Sequence, residues 1–133
     1  MSKRLFIYGP TGSGKTLFAR RYGKQNLLTV PLMGDGWCKE YNWIKRKITQ
    51  NTIFLWDLFE STAKRTVIRF PKVNTLQPNH EHIICSLYPP SHYSKGIQKF
   101  LKDNKFTVIR LRDTAKTPYK TVRIHLDELI QSL

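Results

Sequence analysis

Gly9-Pro10-Thr11-Gly12-Ser13-Gly14-Lys15-Thr16 is the stretch from which the rest of this chain can be read. It fits the pattern G-x-x-x-x-G-K-[ST] at every required position, with Pro10, Thr11, Gly12 and Ser13 in the variable places. Each residue type has a physical task. The glycines let the backbone curl and turn successive N–H groups toward one phosphate. Lys15 brings a point charge to the terminal phosphates, and Thr16 offers a hydroxyl to Mg²⁺. The helix expected after Thr16 aims its positive end at the same anion.

Working outward, the flanks suit such a loop. Arg4-Leu5-Phe6-Ile7-Tyr8 is a short apolar run that ends at Gly9, as a buried first strand would. From Thr16 to Tyr22 the spacing of Leu17, Phe18 and Tyr22 is helical, and Gly23 is a natural C-terminal stop. Asn26 to Val30 reads as a second strand ended by Pro31, and Gly34-Asp35-Gly36 as a turn. Trp37 to Ile48, rich in aromatics and lysines, has no clear period. Thr52-Ile53-Phe54-Leu55-Trp56-Asp57 is a β-prone run closing on an acid. An acid at that place in a phosphate-loop fold holds the water shell of Mg²⁺, and the same residue type also caps strands.

Further along, Glu60 to Arg65 is read as a short helix or loop, Thr66 to Phe70 as a strand, and Pro71 to Pro78 as a turn or hairpin. His82 to Leu87 is another short buried strand, broken by Tyr88-Pro89-Pro90 because proline cannot donate to a ladder. Tyr93 to Asp103 reads as a helix with Ile97, Phe100 and Leu101 on its apolar face. Phe106 to Leu111 reads as a strand. Thr121 to Leu126 alternates apolar and polar residues, which predicts an edge strand, and Asp127 and Glu128 then open a last short helix. Strands alternating with helices predict one α/β domain over residues 1–133, with a central, mostly parallel sheet flanked by helices and a ligand at the strands' carboxyl ends.

Composition narrows the partners. The chain has 133 residues, enough for one domain with a real core. It carries 23 Lys and Arg against 9 Asp and Glu, a net charge of +14, and a field of that size points to a polyanion such as nucleic acid. Cys38 and Cys85 have no metal-ligand spacing; they could pair as one disulfide, and the reading preferred is two free thiols in a reduced compartment. The opening Met-Ser-Lys-Arg is followed by too few apolar residues for a signal peptide, and no run approaches a membrane span, so an intracellular, cytosolic or nuclear setting is expected.

Taken together, these elements resemble the superfamily 3 helicase domain of the replication initiator (Rep) proteins of small circular single-stranded DNA viruses and related plasmids. The likeness runs from about Lys3 to about Ser94. Beyond the phosphate loop, it rests on a Gly-Asp-Gly-Trp stretch before the acid-bearing strand, then Arg69-Phe70-Pro71-Lys72-Val73, then His82-Ile83-Ile84-Cys85-Ser86-Leu87-Tyr88-Pro89-Pro90-Ser91-His92-Tyr93. The last run is similar to the family's motif C, an apolar strand, a polar triplet and a proline-containing loop ending in Tyr. The resemblance implies a P-loop NTPase that uses ATP and Mg²⁺ to move along single-stranded DNA as a ring, usually a hexamer, in the host nucleus if the source is a eukaryotic virus. It implies a DNA-gripping hairpin between Phe70 and His82, with Lys72 the first candidate contact and His80 the second. Lys72 is also what a solvated loop lysine looks like.

Departures from the family bear on turnover. The usual second acid after Asp57 is replaced by Leu58, leaving Glu60, three residues on, as the substitute. The family's motif C asparagine aligns with Leu87, which leaves Ser86 as the nearest polar group. No arginine finger can be matched among Lys102, Lys105, Arg110 and Arg112. The expected catalytic set is therefore Lys15, Asp57, Glu60 and Ser86, with Thr16 and Asp57 toward the metal and slow hydrolysis. No nicking-endonuclease motif precedes Gly9. Two other readings stay open: a small P-loop kinase or transferase, and a degenerate nucleotide-binding module that binds DNA or RNA, for which Trp37, Tyr41 and Trp43 are stacking or core candidates.

Overall fold

The computed structural model describes residues 3–32, 42, 44–76, 80–114 and 116–133. Five strands form one sheet: β1 (Arg4–Tyr8), β2 (Leu27–Thr29), β3 (Ile53–Trp56), β4 (Glu81–Ser86) and β5 (Thr107–Arg110). Their order is β2-β3-β4-β1-β5, and every pairing is parallel. Parallel neighbours need crossovers, and helices that lie within the described residues accompany the sheet, among them α1 (Lys15–Gly23), α2 (Phe59–Leu76), α3 (Lys95–Asp103) and α4 (Tyr119–Ser132). The α/β architecture expected from the sequence is present, with a sheet that is wholly rather than mostly parallel.

Strand alternation sorts the core into two layers. Leu5, Ile7, Ile53, Leu55, Ile83 and Cys85 face α1 and α4, packing on Phe18, Ala19, Val122 and Leu126. Phe6, Phe54, Trp56 and Ile84 face the other way, onto Phe59, Phe70 and Val73 of α2 and Leu101 of α3. Both faces of the central strands are covered, so β3 and β4 read as continuous apolar runs rather than alternating ones.

Three sequence expectations are overturned. Thr66 to Phe70 is not a strand, and Pro71 to Leu76 is not a hairpin: both belong to the 18-residue helix α2. The buried positions Phe59, Thr62, Thr66, Phe70 and Val73 recur at helical spacing, while Ile68, which a strand would have buried, is 65% exposed. Pro71 lies on the exposed side of α2, where its missing N–H is best tolerated. Thr121 to Leu126 is likewise helical, part of α4. Val122 and Leu126 are buried there, but Ile124 between them is 47% exposed. The turn at Gly34 to Gly36, the stretch from Trp37 to Tyr41, Trp43, and the middle of the expected hairpin at residues 77–79 lie outside the described residues.

Candidate functional site

The phosphate-loop motif follows β1 directly and leads into α1. Gly12 and Gly14 take φ values of +84° and +90°, the left-handed region that a side chain disfavours. Ser13 N donates to Pro10 O at 3.0 Å and Phe18 N to Gly14 O at 2.8 Å, closing the turn and starting the helix. Lys15 Nζ folds back onto the loop, donating to Gly9 O at 2.5 Å and Pro10 O at 3.2 Å. The first turn of α1 contains no acid, so nothing there opposes its positive end. Thr16, in that same turn, is exposed.

Strand order decides what faces this loop. Because β4 lies between β1 and β3, the end of β3 stands one strand away from the loop, leaving a gap over the end of β4. A cleft of about 410 Å³ fills that gap, lined by Thr11 to Leu17 on one side and by Asp57, Leu58, Glu60, Cys85 and Leu87 on the other. Lys15, Thr16, Asp57 and Glu60, four of the residues singled out in the sequence, therefore share one cavity.

Asp57 is half-buried at the end of β3, and its Oδ1 accepts from Leu58 N at 2.9 Å. Leu58 has φ +53° and is 52% exposed. A leucine in left-handed backbone costs roughly 1–2 kcal/mol, and here it turns the chain sharply from β3 into α2. Glu60 needs no loop to reach the cleft. It sits in the first turn of α2, where its Oε1 accepts from Leu87 N at 2.7 Å. The backbone at Leu87 is thus tied to the Glu60 carboxylate.

Ser86 is not in the cleft. Alternation turns Cys85 toward the loop and Ser86 to the opposite face, where it is fully buried. Its Oγ donates to Tyr88 O at 2.7 Å, accepts from Tyr88 N at 3.1 Å and contacts Tyr93 Oη at 2.5 Å. Burial raises the Tyr93 phenol above its ordinary pKa, so it remains a neutral hydroxyl at that contact. Ser86 therefore positions the 87–93 loop. Cys85, a free thiol at the cleft wall, is pushed up to about 12 by burial and then by Asp57, and is inert as a nucleophile.

The two nucleic-acid candidates part company. Lys72 is exposed, but on α2 rather than on a hairpin. His80 is 5% exposed, bonds Thr49 O through Nε2 at 2.7 Å, and stands edge-on to Phe54. Burial removes His80 as a surface contact. One supporting contact had no sequence signal: Thr114, past β5, donates from both Oγ1 and its N–H to Gly12 O and pins the phosphate loop from behind.

No family model matches this chain, and no curated protein is significantly similar to it.

Proposed function

We propose that this chain is an ATP-binding, ATP-hydrolysing, helicase-like domain of a DNA replication protein, coupling nucleotide to single-stranded DNA. The observation that carries the reading is the single cleft that collects the loop, Lys15 and Thr16 on one wall and Asp57 and Glu60 on the other. A nucleotide triphosphate fits the donor set. The glycine-rich loop lines the cleft, Lys15 is held there by carbonyls that a phosphate would replace, and two oxygen donors, Thr16 and Asp57, line the same cleft and would hold Mg²⁺. Among the described residues there is no cluster of three or more His, Cys, Asp and Glu, so an ion here would complete its shell with phosphate and water. Such an ion would neutralise charge on the terminal phosphates.

The residues then have distinct roles. Lys15 binds and stabilises charge. Asp57 would hold the water shell of a bound Mg²⁺. Glu60 is the acid placed to polarise an attacking water, and its bond to Leu87 N fixes the carboxylate's direction. Among the described residues lining the cleft, Lys15 is the sole cation, which supports slow turnover by an isolated chain and is consistent with a ring whose neighbours complete each site. The net charge of +14 supports a polyanionic partner. No described helix is long and apolar enough to cross a membrane.

The test is ATP binding and hydrolysis by the purified chain, with and without single-stranded DNA, beside Lys15→Ala. Tight, Lys15-dependent ATP binding is expected, with DNA-stimulated turnover below roughly one per second. Absence of ATP binding refutes the reading. Turnover that instead requires a small phosphate acceptor moves the protein to the kinases.

A further inference from the structure

We propose that single-stranded DNA docks in the groove between the start of α2 and the 87–94 loop, with the exposed Tyr88–His92 pair at its rim as a base-stacking platform. The inference rests on the reading of a DNA-coupled ATPase and names the surface that would meet the strand.

The groove has a volume of about 590 Å³, and its walls include Ser61, Lys64 and Arg65 from α2 and His92, Tyr93 and Ser94 from the loop. Two features suit it to an unpaired strand. First, the rings of Tyr88 and His92 stack at 3.9 Å with an interplanar angle of 23°. Tyr88 remains 39% exposed, so the surface His92 leaves uncovered is open to a base. Every base has a π-face, which makes such stacking tolerant of sequence and dependent on unpaired bases. Second, Lys64 and Arg65 stand on the opposite wall, and the exposed Lys95 follows Ser94 in the chain. Phosphates of a strand stacked on Tyr88 would run past these cations.

Rigidity favours the same assignment. Ser86 Oγ bonds both the N–H and the carbonyl of Tyr88 and touches Tyr93 Oη, so the platform is held in place before any strand arrives. A second basic groove, between α1 and α4, holds Arg20, Arg21 and Lys24. There Arg21 is tied to Asp127 by two hydrogen bonds of 2.6 Å, and no aromatic side chain is found among the described residues lining the groove.

The site also has a route to the nucleotide. Glu60 lines both this groove and the 410 Å³ cleft, and its carboxylate bonds Leu87 N, one peptide away from Tyr88. Glu60 thereby joins the cleft to the root of the platform.

The experiment is fluorescence anisotropy of a labelled oligothymidylate titrated with the full chain, Tyr88→Ala, Tyr88→Phe and Lys64→Ala, over a range of salt. Binding of a fluorescent ATP analogue is read separately. Tyr88→Ala is expected to weaken DNA binding by roughly five- to a hundredfold and Tyr88→Phe by less than about twofold. Lys64→Ala is expected to reduce the salt slope by about 0.7. ATP-analogue binding should be unchanged in all three. Wild-type affinity in Tyr88→Ala overturns the platform while leaving the ATPase reading intact. No oligonucleotide binding by the unaltered chain overturns both the platform and the DNA coupling. Tighter binding to duplex, or to an oligouridylate of equal length, overturns the assignment to single-stranded DNA.

Discussion

Replacing Gly9 and Gly12 by alanine separates two reasons for glycine within one loop. At Gly9 the backbone φ is not positive, so alanine meets no dihedral penalty. Space is the difficulty: an added methyl would lie 2.5 Å from Leu111 O and 2.7 Å from Ser13 Oγ. Leu111 cannot easily retreat, because its N–H donates to Tyr8 O at 2.8 Å and its side chain is buried in the core. Overpacking costs about 1–3 kcal/mol, and a backbone carbonyl as the obstacle puts Gly9→Ala at the upper end. At Gly12 the reverse holds. Nothing lies within 4 Å of the added carbon, but φ is +84°, so the cost is the left-handed penalty of about 1 kcal/mol. For a domain of this size, each kcal/mol lowers Tm by about 4 °C. Calorimetry should therefore show Gly9→Ala melting about 10 °C or more below the parent, and Gly12→Ala about 4 °C below. If Gly12→Ala is the more damaging, or Gly9→Ala is neutral, the packing described between this loop and the end of β5 is wrong.

Two further tests concern the core and its titration. Leu126→Ala should cost about 2–5 kcal/mol, because Leu126 is 5% exposed, whereas Ile124→Lys should fall within about 0.5 kcal/mol of the parent, since Ile124 is 47% exposed; denaturant unfolding decides, and equal costs would restore the strand. His82 is fully buried, accepts from Trp56 Nε1 at 3.1 Å, and is lowered to about 3 by burial, then by Arg4 and His80. Its unfolded form binds a proton below about 6.5 and its folded form does not, so stability falls with pH from about 6.5 toward 3. The slope is up to about 1.4 kcal/mol per pH unit. His82→Asn should flatten that decline in Tm measured from pH 7 to 5, and an unchanged slope would mean that His82 takes up its proton in the native state.

How much of this was legible in the sequence depended on how local each signal was. The phosphate loop, β1, β3 and β4 could be read because a glycine-rich turn and short apolar runs carry their meaning within a few residues. Both misread segments failed in one way. Positions 66 and 70, and 122 and 126, are four apart, and that spacing fits a strand of period two as well as a helix. The intervening Ile68 and Ile124 are equally compatible with a strand, and only their exposure in the fold decides otherwise. Leu129, Ile130 and Leu133, which pack on the same core as Leu126, would have extended the helical stripe beyond Asp127. At the site, Asp57 was legible as an acid ending a strand. That Glu60 reaches the cleft depends on α2 starting at Phe59, and that Ser86 does not depends on which face of β4 looks toward the loop. The Thr114 contact joins residues too far apart in the chain for any local pattern to announce it.

The central place of β1 has a consequence for how the molecule comes into being. Its two neighbours are β4 and β5, so Leu5 pairs with Ile83 and Thr107, residues that follow much later in the chain. Closing a loop of that length costs about 4 kcal/mol of chain entropy, and parallel pairings of this kind fold slowly. At about 5–20 residues per second, several seconds of synthesis separate the first strand from its partners. Through that interval Phe6 and Ile7, both fully buried in the finished sheet, have no native strand to pair with. The nascent chain therefore spends its most aggregation-prone period with its phosphate loop already made and nothing yet to hold it in shape.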